Sequence, residues 1–199
     1  RVEVLRGPQS TLFGKNASAG VISVVTKAPT GEAGGKISAT VGNFGQRILK
    51  AHVENALTEN IAFDLSGSLN RRDGYIKNDN TGSRLNDRDR ESLRGQLVFT
   101  PNNTTYVRVI ADYDSIDELC CGVNNVFRSD AEIFVNGSTG AEINPNQPFA
   151  LSVKNNADPV NQIDNSGLSI QVDQDYGSSL LTSITSYRSV SSFSTIDVD

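Results

Sequence analysis

The 199-residue chain has no methionine, one histidine and two cysteines. With His52 alone and no nucleophile motif, hydrolytic catalysis has nothing to rest on, and the chain is not read as an enzyme. Two adjacent cysteines, Cys120 and Cys121, cannot build a disulfide framework. They leave a vicinal bond, pairing with a cysteine elsewhere, or free thiols. No apolar run approaches the ~18 residues of a membrane-spanning helix. A membrane β-barrel stays open, because its strands carry a far weaker signal. The net charge of −5 gives no nucleic-acid footprint. Hydrophobic residues are only 37%, below the usual globular share. They nevertheless recur in short regular runs, which argues against disorder. With 17 glycines and abundant Ser, Asn, Thr and Asp, the expected class is all-β with many turns.

Residues 1–31 differ in texture from the rest. Val2, Val4 and Leu5 form a short run ended by Arg6-Gly7-Pro8, and Leu12-Phe13-Gly14 follows. Val21 to Thr26 is nearly continuously apolar, as a strand buried on both faces would be. From about Lys36 the pattern becomes alternation with period 2. Ile37, Ala39 and Val41 alternate with Lys36, Ser38 and Thr40, and Leu49, Ala51 and Val53 with Lys50, His52 and Glu54. The same holds around Ile61–Leu69, Ser92–Phe99, Val107–Tyr113 and Leu168–Asp173. A last β-prone run, Leu180–Val190, has faces that are not cleanly separated. These seven runs predict an antiparallel up-and-down sheet, several strands being long enough to cross a bilayer when tilted.

The connections are segregated by length. Short links fall at Asn55–Asn60, Pro101–Asn103 and Tyr176–Ser178, all on one side of such a sheet. Long links, Asp73–Arg90 and Ser115–Asn165, fall on the other, together with the tight reversal at Asn43-Phe44-Gly45. Short turns on one side and long loops on the other mark outer-membrane barrels. The competing architecture is a soluble β-sandwich acting as a binding or adhesion module. In the barrel, Phe63, Leu65, Leu97, Phe99 and Val109 face lipid; in the sandwich they face a second sheet.

Arg1-Val2-Glu3-Val4-Leu5-Arg6-Gly7-Pro8, then Leu12-Phe13-Gly14, Asn16-Ala17, Gly20-Val21-Ile22 and Val24-Val25-Thr26-Lys27 resemble the plug of TonB-dependent outer-membrane receptors. The spacing is fixed and no internal departure from the family pattern occurs over this stretch. The resemblance implies that residues 1–31 are the C-terminal part of a plug domain. Residues 32–199 would be the first strands of a transmembrane barrel of about 22 strands. Glu3, Arg6, Gly7, Pro8, Leu12, Phe13, Gly14, Asn16, Gly20, Ile22 and Thr26 would then be structural plug positions. It implies active uptake of a scarce ligand, foremost a ferric siderophore, in the outer membrane of a Gram-negative bacterium. It also implies TonB, ExbB and ExbD as partners, through a segment upstream of position 1, and contact with outer-membrane lipid and lipopolysaccharide. No cofactor or metal is implied. The abrupt opening at Arg1 and the ending at Ser194–Asp199 read as a segment of a longer protein.

Gly7 and Gly14 suit turns with positive φ or close backbone approach. Glu3 and Arg6 are candidates for ion pairs with charges inside the barrel, holding the plug in place. In the oxidising setting the resemblance implies, a structural disulfide at Cys120 and Cys121 is favoured. Asp73, Asn78, Asp79, Asn80, Asp87 and Asp89 supply oxygen ligands without EF-hand spacing, so a solvated loop is favoured over a calcium site. Arg71, Arg72, Arg84, Arg88 and Arg90 could meet an anionic ligand or lipopolysaccharide phosphates, but acids are interleaved with them. His52 falls on a polar, lumen-facing side. Tyr75, Tyr106, Tyr113, Tyr176 and Tyr187 lie near predicted strand ends, as an interfacial girdle would.

Overall fold

In the computed structural model, the residues described are 1–122 and 149–196. The N-terminal segment forms a small antiparallel ribbon of β1 (Val2–Arg6) and β2 (Gly20–Val24), joined through the single-turn helix α1 (Ser10–Phe13). Gly7 and Gly14, with φ of 83° and 85°, occupy the turns flanking that helix. At Gly20, a side chain is excluded outright: a Cβ would lie 2.6 Å from the Leu5 carbonyl oxygen. The predicted two-faced burial of the second strand is not observed. Ile22 is 71% exposed and Val24 66%, because β2 pairs with β1 alone and no described residue covers its apolar side.

The alternating region forms one antiparallel sheet of seven strands. In chain order these are β3 (Gly34–Val41), β4 (Arg47–Thr58), β5 (Ile61–Arg72), β8 (Arg88–Asn102), β9 (Thr105–Glu118), β11 (Val160–Asp175) and β12 (Leu180–Thr195). Each pairs with the next, so the topology is up-and-down throughout. Period-2 side-chain placement fixes the register. Phe63, Leu97, Val109 and Ile170 stand in one row across four strands, and Leu65, Gly95, Ala111 and Leu168 in the next. This apolar face is open: Leu65, Leu93 and Leu168 are exposed, and no second sheet packs on it among the described residues. An exposed apolar face on an unbroken up-and-down sheet is the arrangement of a barrel wall rather than of a packed sandwich.

The strands outrun their alternation. β8 begins at Arg88 and β9 continues to Glu118, inside what the sequence reads as loop. Here Asp114, Ser115, Asp117 and Glu118 make both faces polar, so hydropathy loses the strand while backbone pairing carries it on. The links contain structure of their own. β6 (Ile76–Asn78), β7 (Arg84–Leu85) and β10 (Ser152–Val153) make a three-stranded sheet at the long-loop end. Ile76, Leu85 and Val153 form its small core, with Tyr75 and Leu119 packed against it. The part of the second long link numbered 123–148 lies outside the described residues, as does 197–199 of the predicted C-terminal pattern.

Candidate functional site

The face opposite the apolar one is concave and polar. Lys36, Lys50, His52, Arg94, Asp112 and Arg188 line a trough of about 810 Å³ along it. His52 lies on this side, opposite Ser66 on β5, as its polar register requires. Cations outnumber acids here. Arg188 donates to Asp112 at 3.0 Å and to Asn165 at 2.7 Å, while Arg94 lies 3.9 Å from Asp112.

One end of the trough is where the N-terminal segment meets the sheet. The Arg108 guanidinium donates to the Thr26 hydroxyl at 3.1 Å, the Thr26 carbonyl at 3.2 Å and the Lys27 carbonyl at 3.4 Å. Arg94 donates to the Thr26 hydroxyl at 3.1 Å, and Gln96 to the Lys27 carbonyl at 3.3 Å. Gln96 is itself fixed by donating to Asp64 at 2.6 Å and accepting from Arg108. Both Asp64 and Gln96 are buried. Lys27 also faces Glu54 at 4.0 Å. Three adjacent strands, β5, β8 and β9, thus present one bonded set to two residues of the incoming chain. Charge-assisted bonds of this kind are roughly twice as strong as neutral ones.

Of the N-terminal motif residues, Thr26 accepts sheet side chains through its hydroxyl and its carbonyl, and Lys27 through its carbonyl. Glu3 pairs with Arg1 at 2.8 Å, and Arg6 forms no ion pair among the described residues. Leu12, Phe13 and Ile22 are exposed, and Pro8 and Asn16 sit in the turns around α1. Arg94, Gln96 and Arg108 were legible only as polar members of alternating strands. Nothing in one sequence announces that they converge on Thr26.

At the long-loop end a second bonded set ties the two links together. Asp158 accepts from Asn78 at 2.9 Å, Thr81 at 2.6 Å and Ser83 at 2.5 Å. Burial opposes its ionisation, but these three donors outweigh burial and hold its pKa below the ordinary carboxylate value. Asn86 exchanges two bonds with Gly122, and Asp87 accepts from the Leu119 N–H at 2.7 Å. Burial pushes the Asp87 carboxyl up, against that N–H bond. Glu118, with a fully buried side chain, receives both Arg88 and Arg90. Arg71 pairs with Asp89, and Arg72 donates to the Asn86 carbonyl while lying over the Tyr75 ring. Four of the five candidate anion-binding arginines are therefore engaged internally. Asp79 pairs with Lys77, and no metal-holding group of three acids, histidines or cysteines occurs among the described residues. Cys120 and Cys121 are bonded to each other immediately beyond β9.

The tyrosines are not one girdle. Tyr113 and Tyr187 stand on the apolar face, Tyr176 lies in a short turn, Tyr106 shares the trough side, and Tyr75 packs on Phe44 in the loop sheet. Strand-end position in the sequence does not fix the face, which the register decides.

No protein-family model matches the chain. It is 34% identical over 77 residues to the ferrioxamine B receptor of Salmonella typhimurium LT2, an alignment covering 38% of this chain and 11% of that protein. It is 32% identical over 83 residues to the vitamin B12 transporter BtuB of Vibrio vulnificus, covering 41% and 14%. The chain thus spans about a tenth of the length of the curated relatives it matches. Its fold is that of the ferric yersiniabactin uptake receptor FyuA from Yersinia pestis, with a TM-score of 0.79 at 18% identity, over 100% of this chain and 29% of that one. The ferripyoverdine receptor of the Pseudomonas aeruginosa outer membrane gives 0.67 at 21% identity, over 88% and 22%. Their names make these proteins receptors and a transporter, and the ferripyoverdine receptor is one of the outer membrane.

Proposed function

We propose that this chain, which belongs to the TonB-dependent outer-membrane receptors, is the end of the plug and the first seven barrel strands of a receptor that imports a ferric siderophore. The observation that carries the reading is the bonding of Thr26 and Lys27 to the polar face of the sheet by Arg94, Gln96 and Arg108. A segment attached to the inward side of a barrel wall is what a plug must be. The opposite side, lined by Leu65, Leu97, Phe99 and Val109, meets lipid.

Residues 1–31 are assigned to the plug and 32–199 to the wall. Ferric siderophore as cargo is supported by relatives such as the ferrioxamine B and ferric enterobactin receptors. Energy comes from TonB with ExbB and ExbD, acting on a segment that precedes Arg1 in the family. Cargo enters from the long-loop side, where the β6–β7–β10 sheet stands.

The test uses the full-length receptor in an iron-starved Gram-negative host lacking its own siderophore receptors. Radio-iron is supplied as a hydroxamate or a catecholate complex, with and without TonB. TonB-dependent accumulation of one complex is expected. Uptake of labelled cobalamin with no iron accumulation would move the cargo to corrinoids, and accumulation without TonB would end the energised reading.

A further inference from the structure

We propose that the Cys120–Cys121 bond is a thiol-sensitive clasp: closed, it fastens the chain leaving β9 to the loop sheet, and reduced, it lets the two part. The inference goes beyond the import reading and needs neither its cargo nor its energy source.

The cysteines lie in the stretch from Leu119 to Gly122 that follows β9. Both ends of that stretch are held by one residue, Asn86, in the turn between β7 and β8. The Asn86 main-chain N–H donates to the Leu119 carbonyl at 2.6 Å. Its side-chain amide accepts from the Gly122 N–H at 2.9 Å and donates to the Gly122 carbonyl at 3.1 Å. The neighbouring Asp87 carboxylate accepts from the Leu119 N–H at 2.7 Å. Asn86 has a φ of 62°, a conformation that asparagine tolerates better than most residues. Apolar contact reinforces the polar bonds. Leu119 packs on the core of the loop sheet. Gly122 is buried against Leu85, where a Cβ would stand 2.7 Å from the Leu85 Cδ1. Leu85 is itself fully buried.

What the disulfide contributes follows from the adjacency of its cysteines. A bond between distant cysteines staples two elements and restrains the unfolded chain, an effect that grows with the loop closed. A bond between neighbours closes the shortest loop and staples no second element. It acts only on the conformation of the chain between Leu119 and Gly122. Among the described residues neither cysteine makes a hydrogen bond of its own, so the Sγ–Sγ bond fixes the spacing of the two anchored residues. Asn86 requires that spacing, since its backbone and its side chain must reach both at hydrogen-bond distance. Glu118, one residue earlier, needs no such help: Arg88 and Arg90 hold its carboxylate. The clasp therefore governs Leu119 to Gly122 and the core edge they cover, not the strand before them.

The bond is also open to exchange. Cys121 is exposed and Cys120 partly buried. A thiolate from the medium attacks the Cys121 Sγ, and Cys120 leaves as a thiolate that takes up a proton. A second reductant thiol resolves the mixed disulfide on Cys121. The two reductant thiols become a disulfide, and two electrons and two protons pass to Cys120 and Cys121. The reverse exchange with an oxidised thiol closes the clasp again.

Hydrogen exchange of the full-length receptor in detergent, before and after dithiothreitol, tests the clasp. Reduction acts on the folded wild-type receptor, so no variant's assembly is at issue. The amides of Asn86, Leu119 and Gly122 should exchange several-fold faster once the bond opens, and recover on reoxidation. Amides from Val107 to Ala111 should not change. Cys120→Ser/Cys121→Ser should show the fast rates with or without dithiothreitol. Asn86→Ala should expose the Gly122 amide with the disulfide intact and leave little for dithiothreitol to change there. Unchanged rates at the three amides after reduction, or a bond that alkylation shows dithiothreitol cannot open, overturns the clasp. A dithiothreitol response that survives in the double serine variant also overturns it, because another cysteine pair then causes the effect. An equal response at Gly122 in wild type and Asn86→Ala overturns the coupling through Asn86.

Discussion

Arg188 on β12 reaches past β11 to donate to Asp112 on β9, at 3.0 Å. The strand it crosses contributes Gly167, where a Cβ would stand 2.6 Å from an Arg188 terminal nitrogen and 3.2 Å from an Asp112 oxygen. Glycine at this register position is what lets a side chain span three strands on the inward face. It also explains how β12, whose residues are all exposed and whose faces mix polar with apolar, keeps a side-chain tie to the sheet interior.

Gly167→Val should therefore displace Arg188 and crowd the trough, at a cost of about 1–3 kcal/mol from overpacking. Arg188→Ala should cost less, about 1 kcal/mol or under, since the arginine is half-exposed and solvent screens the pair. The urea dependence of heat-modifiable migration of the full-length receptor ranks the two. A larger loss from Arg188→Ala would contradict the crossing role of Gly167.

Arg108 makes the greatest number of bonds to the incoming chain, so Arg108→Ala should loosen the junction more than any change in β1 or β2. Hydrogen exchange of the amides around Thr26 to Ala28 in the full-length receptor should rise several-fold on losing these charge-assisted bonds. Arg6→Ala, at a residue without an ion pair among the described residues, should leave the same amides unchanged. Protection that depends on Arg6 and ignores Arg108 would show that the plug is held elsewhere.

Much of this arrangement was legible in the residues, and the remainder was not for identifiable reasons. Period-2 alternation marked six of the seven sheet strands, because a sheet apolar on one side and polar on the other cannot hide its register, while the seventh showed only as a β-prone run. It stopped short at Tyr113 and resumed late at Leu168, because beyond the lipid both faces of β9 and β11 meet water. The motif from Arg1 to Lys27 resembles a plug, but does not say which of its residues meets the sheet. Glu3 and Arg6 were the charged candidates, yet the bonds fall on the Thr26 hydroxyl and on backbone carbonyls, which carry no charge signal.

Asp158 ties the two long links and should do so in a pH-dependent way. Its pKa is depressed on folding, so its contribution is complete above the ordinary value of 3.8 and is lost as pH falls through the lower folded value. Protection of the Ile76–Leu85 segment should persist through mildly acid conditions and fail only in stronger acid. Asp87 acts in the opposite sense: burial raises its pKa, so its contribution is present at low pH and is lost as pH rises through the raised value. Asp158→Asn should open the segment by about 1 kcal/mol at neutral pH, the modest worth of solvent-screened bonds to a charged group. Limited proteolysis of the loops across pH measures both. An Asp158→Asn receptor with the wild-type acid profile would remove Asp158 from the latch.

Among the described residues the sheet has two bare edges, β3 and β12, since each pairs with a single neighbour. Every residue of β3 and β12 is exposed, including Ile37, Val41, Tyr187 and Phe193. An unpaired backbone row flanked by apolar side chains is a template for pairing with another chain. In a membrane such a row has no water to satisfy it, and even the smallest outer-membrane barrels close with about eight strands. Residues 1–199 expressed alone should accordingly aggregate, and detergent should not yield a heat-modifiable monomer. A soluble monomer with a cooperative thermal transition would mean that the edges are satisfied within the chain, which would contradict the open wall described here.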